Sequence, residues 1–284
     1  MNILVTGANG QLGQELRILP NTDAIYFFTD VEELDITNKE DVRHFVDSNQ
    51  IEVIINCAAY TDVNKAEEES DNAEQINTHA VANLANVAKK RGATLIHIST
   101  DYVFGNNSIN EPIKEDAATN PMGVYGRTKL DGEEEIIKSG CQYIIIRTAW
   151  LYSSYGKNFV KTILRLAQEK DSINVVYDQV GTPTYAGDLA LVIKMIAESE
   201  LRHIQGVYHF SNEGAISWYD FAQAIIELSG SKCEVIACRS EDLGISTIRP
   251  HYSVLDKSKL KQTLGLSIPY WKDSLKECLS KING

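Results

Sequence analysis

Tyr125 and Lys129 stand four residues apart in a stretch that follows Asn120-Pro121 and is expected to begin a helix. This spacing places both side chains on one helix face. A Tyr hydroxyl can donate a proton to a developing alkoxide, and a nearby ammonium makes the phenolate easier to form. Thr100 ends an apolar run that starts at Leu95, so its hydroxyl could hold the acceptor oxygen. For the pair alone, a half-buried Tyr beside a solvated Lys is the favoured interpretation.

The N-terminal segment predicts a dinucleotide-binding turn. The run Ile3 to Thr6 is typical of a buried strand, and a helix is expected from Gln14 onward. Three glycines between them form a GxxGxxG pattern, which lets backbone amides approach a pyrophosphate closely. A tight turn without a ligand is the weaker interpretation of these glycines, Gly7, Gly10 and Gly13.

A second apolar run, Ala24 to Phe28, leads into Thr29-Asp30. An acidic residue at the end of this strand can accept hydrogen bonds from the adenosine ribose 2′-OH. Because a carboxylate repels a 2′-phosphate, Asp30 favours NADH over NADPH. A solvated loop acid is the competing interpretation.

Strand and helix patterns alternate along the first half of the chain. Apolar strands are expected at 53–55, 95–98 and 143–146, and helices at 39–48 and 73–90. This alternation predicts an α/β fold with a Rossmann-type, doubly wound parallel sheet. Ligands of such sheets lie at the C-terminal strand ends. The segments expected there are Gly7–Gly13, Ala58–Thr61, Ser99–Thr100 and Arg147–Trp150, which favours the catalytic interpretation of Tyr125 and Lys129.

Composition excludes several classes of function. The 284 residues carry 27 basic and 39 acidic side chains, a net charge of −12 that argues against nucleic-acid or anionic-membrane partners. Five scattered cysteines show neither a CxxC pair nor zinc spacing, and they indicate reduced thiols in the cytoplasm. No leader-like segment and no apolar run of membrane-spanning length is expected. Trp218 and Trp271 fall on expected helix faces and are interpreted as packing residues.

Several strings resemble the extended short-chain dehydrogenase/reductases, and within them the dTDP-4-dehydrorhamnose reductase family. The similarity extends over nearly the whole chain. The matching strings are GxxGxxG, Cys57-Ala58-Ala59-Tyr60-Thr61 with Lys65-Ala66-Glu67, Ser99-Thr100-Asp101-Tyr102-Val103-Phe104, Val124-Tyr125-Gly126-Arg127-Thr128-Lys129-Leu130, Arg147-Thr148-Ala149-Trp150-Leu151-Tyr152, Asn158-Phe159, Asp178-Gln179, Gly181-Thr182-Pro183-Thr184 and Arg249-Pro250.

This resemblance implies a role for each matching residue. Tyr125 would be the proton donor, Lys129 would bind the nicotinamide ribose and lower the Tyr125 pKa, and Thr100 would orient the carbonyl. The dinucleotide would contact Gly7, Gly10, Gln11, Leu12, Gly13, Asp30, Asp35, Ile36, Ala58, Ala59, Tyr60 and Thr61. The sugar nucleotide would contact Thr100, Asp101, Tyr102, Val63, Trp150, Asn158 and Arg249.

The implied reaction is the reduction, by NADH or NADPH, of the C4 keto group of a dTDP-linked 4-keto-6-deoxy sugar, as in dTDP-L-rhamnose synthesis. Another sugar-nucleotide reductase or an epimerase of the superfamily is an alternative. A dehydratase is disfavoured because Tyr102 follows Thr100-Asp101 where dehydratases have Glu. A non-catalytic relative is the regulatory subunit of methionine adenosyltransferase, but the intact Thr100, Tyr125 and Lys129 set argues against that role.

The resemblance also implies an interface magnesium ion held by three acids in a homodimer, and here the sequence departs from it. Glu15 fits the first acid, whereas Gly187 and Leu191 occupy the other two positions and Asp188 is one position away. We therefore assign no metal, and a homodimer stays possible. The chain also continues after Arg249-Pro250 as His251-Tyr252-Ser253, where Asn-Ser is more usual in the family. The expected domains are residues 1–151 plus about 183–212 for the dinucleotide, and about 152–182 plus 213–284 for the sugar nucleotide.

Overall fold

The computed structural model describes residues 1–20, 22–105, 110–244 and 249–283. Its strands are β1 (Asn2–Thr6), β2 (Ile25–Thr29), β3 (Val53–Asn56), β4 (Thr94–Thr100), β5 (Gln142–Thr148), β6 (Leu151–Tyr152), β7 (Ser172–Val176), β8 (Val180–Gly181), β9 (Thr184–Tyr185), β10 (Gly206–His209), β11 (Ile216–Ser217) and β12 (Glu234–Cys238).

The α-helices are α1 (Gln11–Arg17), α2 (Lys39–Ser48), α3 (Val63–Glu68), α4 (Ser70–Glu74), α5 (Ala80–Arg91), α6 (Val124–Ser139), α7 (Phe159–Glu169), α8 (Ala186–Ala197), α9 (Trp218–Ser229), α10 (Ser258–Leu264) and α11 (Trp271–Asn283). Short 3₁₀ turns lie at Asp101–Val103, Glu200–His203 and Ser240–Leu243.

The central sheet has six strands among the described residues, in the order β10-β5-β4-β3-β1-β2. Every neighbouring pair is parallel. The strand order reverses between β1 and β3, which is where doubly wound sheets form their ligand crevice. The predicted Rossmann-type α/β fold is thereby confirmed.

Both faces of this sheet are buried, because strands such as Ile3–Val5 and Ile144–Ile146 present apolar side chains to either side. On one face Ile3, Val5 and Ile55 pack with α1 and α8, and on the other Leu4, Ile54 and Leu95 pack with α2 and α5. The sheet is therefore rigidly held, and it fixes the loops at its carboxyl edge.

A third apolar cluster lies outside the sheet and joins α7, α9 and α11 to the parallel pair β7 and β12. Leu260 and Ile268, by contrast, pack into the sheet cluster beside α8. The C-terminal segment thus contributes side chains to both cores.

One helix differs from its prediction. The stretch expected as a single helix over 73–90 is α4, a π-helical turn at Gln75–His79, and then α5. The turn brings Asn77 against the loop after β3, where its Oδ1 accepts from the Tyr60 N–H at 2.9 Å. Opposite it, a Cβ added at Gly132 would lie 2.2 Å from the Asn77 carbonyl oxygen. This close approach explains the π turn, a feature frequent at functional sites.

In the part of the chain that the structure describes, no helix is long and apolar enough to cross a membrane.

Candidate active site

A cleft of about 630 Å³ opens at the carboxyl edge of the sheet, between the ends of β1, β3, β4 and β5 and the start of α6 and α9. Most residues that the sequence proposes for the site line this cleft. They are Gly7, Gly10, Gln11, Leu12, Ala59, Thr61, Val63, Thr100, Asp101, Tyr102, Tyr125, Lys129 and Trp150.

The glycine-rich turn is shaped by contacts that only glycine allows. Gly7 has φ +64°, and a Cβ there would lie 2.6 Å from the Ala58 backbone. A Cβ at Gly13 would lie 2.5 Å from Ala8 Cα, so this glycine lets α1 pack against the turn. The turn therefore lies directly against the loop after β3, with backbone rather than side chains facing the cleft.

Two carboxylates predicted to bind the adenosine half are held by local hydrogen bonds. Asp30 Oδ2 accepts from the Asn9 N–H at 2.9 Å, which ties the end of β2 to the glycine-rich turn. Asp35 Oδ1 accepts from the N–H and the hydroxyl of Thr37. The neighbouring Ile36 side chain is buried in the sheet core, so only its backbone remains for a ligand.

The other predicted residues lie beside the cleft. Tyr60 donates its hydroxyl hydrogen to Glu69 at 2.8 Å. Asn158 accepts from the Lys161 N–H at the start of α7 and donates to Gln11 Oε1 at 2.9 Å. Asn158 therefore orients Gln11, which does line the cleft.

Tyr125 and Thr100 both line the cleft, and the Thr100 hydroxyl donates to Asp101 Oδ1 at 3.1 Å. The Tyr125 ring packs edge-on against Tyr102 at 5.4 Å between centroids. Burial raises the Tyr125 pKa above its ordinary value, and the neighbouring Thr100 side chain opposes that rise. The arrangement keeps a protonated phenol beside a second hydroxyl, as a proton donor to an oxygen requires.

Lys129 lies one helical turn after Tyr125, and its side chain is 2% exposed. Its Nζ donates to the Ile98 carbonyl oxygen at 2.7 Å and lies 3.2 Å from His97 Nε2. Burial lowers the Lys129 pKa to about 8, while Glu133 and Cys57 raise it. Thr100 is the group that opposes the rise of the Tyr125 pKa. The predicted effect of Lys129 on the Tyr125 pKa stays a prediction.

A buried ion pair beneath the site escaped the sequence analysis. Arg147 on β5 donates from Nη2 to Glu133 Oε2 at 2.6 Å, and Ser99 donates to Glu133 Oε1 at 2.5 Å. Glu133 follows Lys129 by one more helical turn, so the spacing 125, 129, 133 could have revealed it. The pair joins α6 to β4 and β5 close to Lys129 and Thr100, which neighbour Glu133 and Ser99 along the chain.

Trp150 enters the cleft from the end of β5 in a left-handed conformation, φ +49°. Its ring stacks on Trp218 with a centroid distance of 3.6 Å and an interplanar angle of 12°. A Cβ at Gly181 would lie 2.7 Å from the Trp150 ring, so glycine provides its floor. Trp218, interpreted from sequence as a packing residue, does pack on Trp150 and on the third apolar cluster, and it also lines the cleft.

Asp101 and Arg249 carry buried polar atoms without hydrogen-bond partners among the described residues, Oδ2 and Nε respectively. Burial raises the Asp101 pKa to about 6, although the Thr100 hydroxyl, which donates to Oδ1, and the nearby Ser253 side chain oppose the rise. Burial and the Asp101 charge raise the Tyr102 pKa to about 12, and Arg249 opposes them. Two unsatisfied polar atoms of opposite character thus lie close to one end of the cleft.

The residues present do not fit the magnesium site that the resemblance implies. Glu15 accepts from the Ser153 hydroxyl at 2.7 Å and lies near the Lys281 ammonium, which supplies a cation already. Asp188 accepts instead from Asn212 and from a serine on α11. A Cβ at Gly187 would meet the Tyr185 ring at 2.5 Å. Within the described residues no group of three or more His, Cys, Asp and Glu could hold a metal ion.

Comparison with known proteins places these features in a family. The family model described as "RmlD substrate binding domain" matches residues 1–283. A dTDP-4-dehydrorhamnose reductase from Aggregatibacter actinomycetemcomitans is 40% identical, over 96% of this chain and 97% of that one.

Solved structures agree. The dTDP-4-dehydrorhamnose reductase of Clostridium acetobutylicum has a TM-score of 0.95 and 43% identity over all of both chains. The enzyme of Bacillus anthracis, solved in complex with NADP, has a TM-score of 0.94 and 38% identity over 99% of each chain. The resemblance found in the sequence is therefore confirmed, and the chain belongs to the dTDP-4-dehydrorhamnose reductase family of oxidoreductases.

Proposed function

We propose that this protein reduces the C4 keto group of dTDP-4-dehydro-6-deoxy-L-mannose to a hydroxyl, giving dTDP-L-rhamnose, with NADH or NADPH as the reductant. The observation that carries the proposal is that Tyr125, Thr100 and Lys129 line one cleft at the strand-order reversal, with Lys129 one helical turn after Tyr125.

The protein's part in the reaction is to hold the carbonyl and to deliver a proton. A reduced nicotinamide, when bound, supplies the hydride that adds to the carbonyl carbon. Thr100 donates a hydrogen bond to the carbonyl oxygen, and Tyr125 transfers its hydroxyl proton to that oxygen as negative charge develops there. The C–O π electrons become the alkoxide pair that takes this proton. Lys129, held by the Ile98 carbonyl, stabilises the phenolate left behind and binds ribose hydroxyls.

The opposite end of the cleft suits a sugar nucleotide. Arg249 offers a buried N–H that has no partner among the described residues, a group that a pyrophosphate oxygen would satisfy. Asp101 Oδ2 is a matching acceptor for a sugar hydroxyl. Trp150 presents a flat ring for stacking, and Val63 and Tyr102 complete the wall.

For the cofactor, we propose a preference for NADH. Asp30 places a carboxylate at the end of β2 beside the glycine-rich turn, where it would accept from a ribose 2′-OH and repel a 2′-phosphate. The Bacillus anthracis relative was solved with NADP, so the two cofactors must be compared directly.

Other activities on this fold fit the side chains less well. Elimination of water by a dehydratase requires an acid/base pair, and the position after Asp101 holds Tyr102, whose pKa is raised to about 12. A purely regulatory subunit would have no use for Tyr125, Thr100 and Lys129 together in an open cleft.

The proposed division of labour follows the expected domains, residues 1–151 plus about 183–212 for the dinucleotide and about 152–182 plus 213–284 for the sugar nucleotide. Supporting it, the cluster around α7, α9 and α11 is separate from the two sheet clusters. We also expect a cytoplasmic enzyme, in keeping with five free cysteines, and a possible homodimer that analytical ultracentrifugation would test.

A coupled assay tests the proposal. dTDP-glucose, the upstream dehydratase and epimerase, this protein and NADH should yield dTDP-L-rhamnose, identified by NMR. Tyr125→Phe should lower turnover by ~10²-fold or more with cofactor affinity nearly unchanged. Tyr270→Phe removes a hydroxyl from a half-exposed ring and serves as the matched control. Near-normal turnover in Tyr125→Phe would contradict the assigned proton donor.

A further inference from the structure

A chain of four buried polar side chains leads from β1 to Lys129. Thr6 donates to Asn56 Oδ1 at 2.7 Å, Asn56 Nδ2 lies 3.0 Å from His97 Nδ1, and His97 Nε2 lies 3.2 Å from Lys129 Nζ. Asn56 and His97 have no exposed surface, so their polar atoms bond to other side chains and not to water. The proposed mechanism uses only the last member of this chain.

The orientation of the Asn56 amide is fixed from one side. Its Oδ1 accepts both from the Thr6 hydroxyl and from the Ala58 backbone N–H at 3.1 Å. A flipped amide would point its NH₂ group at the Ala58 N–H, donor against donor. The Asn56 NH₂ therefore faces His97 Nδ1, and only an unprotonated Nδ1 can accept from it.

Neutral His97 must then carry its proton on the other nitrogen. Burial and the charge of Lys129 lower the His97 pKa well below its ordinary value, so the ring is neutral near pH 7. With Nδ1 as an acceptor, the hydrogen lies on Nε2 and points at Lys129 Nζ. An N–H can bond to that nitrogen only when Lys129 is a neutral amine with a free lone pair.

We propose that His97, locked in its Nε2–H tautomer by Asn56, is a positioning residue that opposes the ammonium form of Lys129 and so sets the upper pH limit of cofactor binding and catalysis. The inference rests on the proposed role of Lys129 as a charged ligand of the ribose. It gives His97 and Asn56 a function in the reaction, although neither is among the residues that line the cleft.

Other ionisable groups near Lys129 favour its ammonium form, whereas His97 opposes it. Glu133, on the same helix, and Cys57, after β3, both raise the Lys129 pKa. Tyr125, one turn earlier on α6, and Cys57 are themselves neutral near pH 7, because burial raises both of their pKa values. The lowered pKa of Lys129 shows that burial outweighs the Glu133 charge. The His97 N–H that faces Nζ acts in the same direction as burial.

The first test reads the tautomer directly. In protein labelled with ¹⁵N-histidine, the ring-nitrogen shifts of His97 at pH 7 should show the hydrogen on Nε2, with the His97→Phe spectrum supplying the assignment. A hydrogen on Nδ1 would overturn the proposal. This measurement needs no cofactor or sugar, so it stands even if the proposed activity fails.

The second test reverses the tautomer with an isosteric change. In Asn56→Asp both carboxylate oxygens accept, so Oδ1 keeps its Thr6 and Ala58 partners while Oδ2 draws the hydrogen to His97 Nδ1. Nε2 then accepts from the Lys129 ammonium. The pH above which NADH affinity falls should rise by roughly one to two units, the size expected when a hydrogen bond to a charged group replaces a repulsive contact.

A direct effect of the new carboxylate on Lys129 is separated by repeating the change in the His97→Phe background. If the ring transmits the effect, the shift should largely vanish there. An equal shift in both backgrounds, or none in Asn56→Asp alone, would refute the proposal. Asn86→Asp, an exposed position on α5, adds the same charge elsewhere and should leave the NADH–pH curve unchanged. Should Asn56→Asp fail to fold, the tautomer measurement decides alone.

Discussion

Trp150 combines a left-handed backbone with a ring that lines the cleft, and the two contributions can be separated by substitution. Its φ of +49° is left-handed, a region that costs a residue with a Cβ about 1–2 kcal/mol relative to glycine. The free energy of unfolding of Trp150→Gly should therefore exceed that of Trp150→Ala by about 1 kcal/mol. Trp150→Gly should accordingly unfold at a higher urea concentration. This order is the reverse of that in a regular helix or strand, where Gly is the less stable of the two.

The loss common to both variants can also be estimated. Each removes the stack on Trp218, worth ~0.5–1.5 kcal/mol beyond the area buried. Trp150 is only partly buried and lines an open cleft, so no closed cavity is left behind. Both variants should keep most of their stability, while dTDP affinity falls roughly ten- to hundred-fold and NADH affinity changes little.

Urea unfolding and calorimetric titrations with dTDP and with NADH on the same preparations check these values. Trp271→Ala is the control for a core tryptophan, since Trp271 is 5% exposed within the third apolar cluster. It should cost ~3–5 kcal/mol. If Trp150→Ala behaved like this control, with a large stability loss and equal losses for both ligands, the stacking assignment would fail. If it were as stable as Trp150→Gly, the backbone would carry no strain.

Two further changes probe the cofactor site and its support. Asp30→Ala should narrow the ratio of kcat/KM for NADH over NADPH, and an unchanged ratio would make Asp30 a loop acid only. Glu133→Gln leaves the buried Arg147 charge without its counter-ion and should cost ~3–5 kcal/mol in unfolding experiments. Glu135→Gln, which breaks an exposed ion pair on the same helix, should lower the free energy of unfolding by less than ~1 kcal/mol. Equal losses in the two variants would show that the buried pair has no special structural role.

The sequence pattern was sufficient to predict those elements whose structure depends mainly on their own residues. The helix expected over 39–48 is α2, because Asn38 caps it and its apolar positions recur with helical period. The strand ends that the parallel sheet implies bring Gly7, Thr100 and Trp150 into one cleft. These features follow from periodicity, turn residues and the parallel topology.

Features created by contacts between distant segments were not predictable in this way. Trp218 begins α9, and it reaches the cleft only because β11 pairs with β8 beside Gly181. The π turn around Asn77 depends on the loop after β3 and on Gly132, neither of which a helical pattern can reveal. His97 looked like one more residue of a buried strand, since its partners Asn56 and Lys129 belong to other elements.

Asp101 can be used to test whether a buried carboxylate oxygen without a hydrogen-bond partner lowers the stability of the folded protein. Its pKa is raised from 3.8 to about 6, chiefly by burial, so the folded state binds the proton more tightly than the unfolded state. The tighter binding of this proton therefore stabilises the folded state fully below pH 3.8, and that stabilisation is lost as the pH rises through 6. Two pKa units correspond to about 3 kcal/mol.

Asp101→Asn removes this pH dependence, because an amide does not titrate. Its new NH₂ group takes the position of the unpartnered Oδ2, and any cost of burying that group is the same at every pH. The stability difference between variant and wild type should therefore shift by about 2.5 kcal/mol in favour of the variant between pH 4 and pH 8. Urea unfolding at the two pH values measures the shift. A difference independent of pH would show that Asp101 is ionised in the folded protein without penalty, and the proposed acceptor for a sugar hydroxyl would then be an ordinary solvated acid.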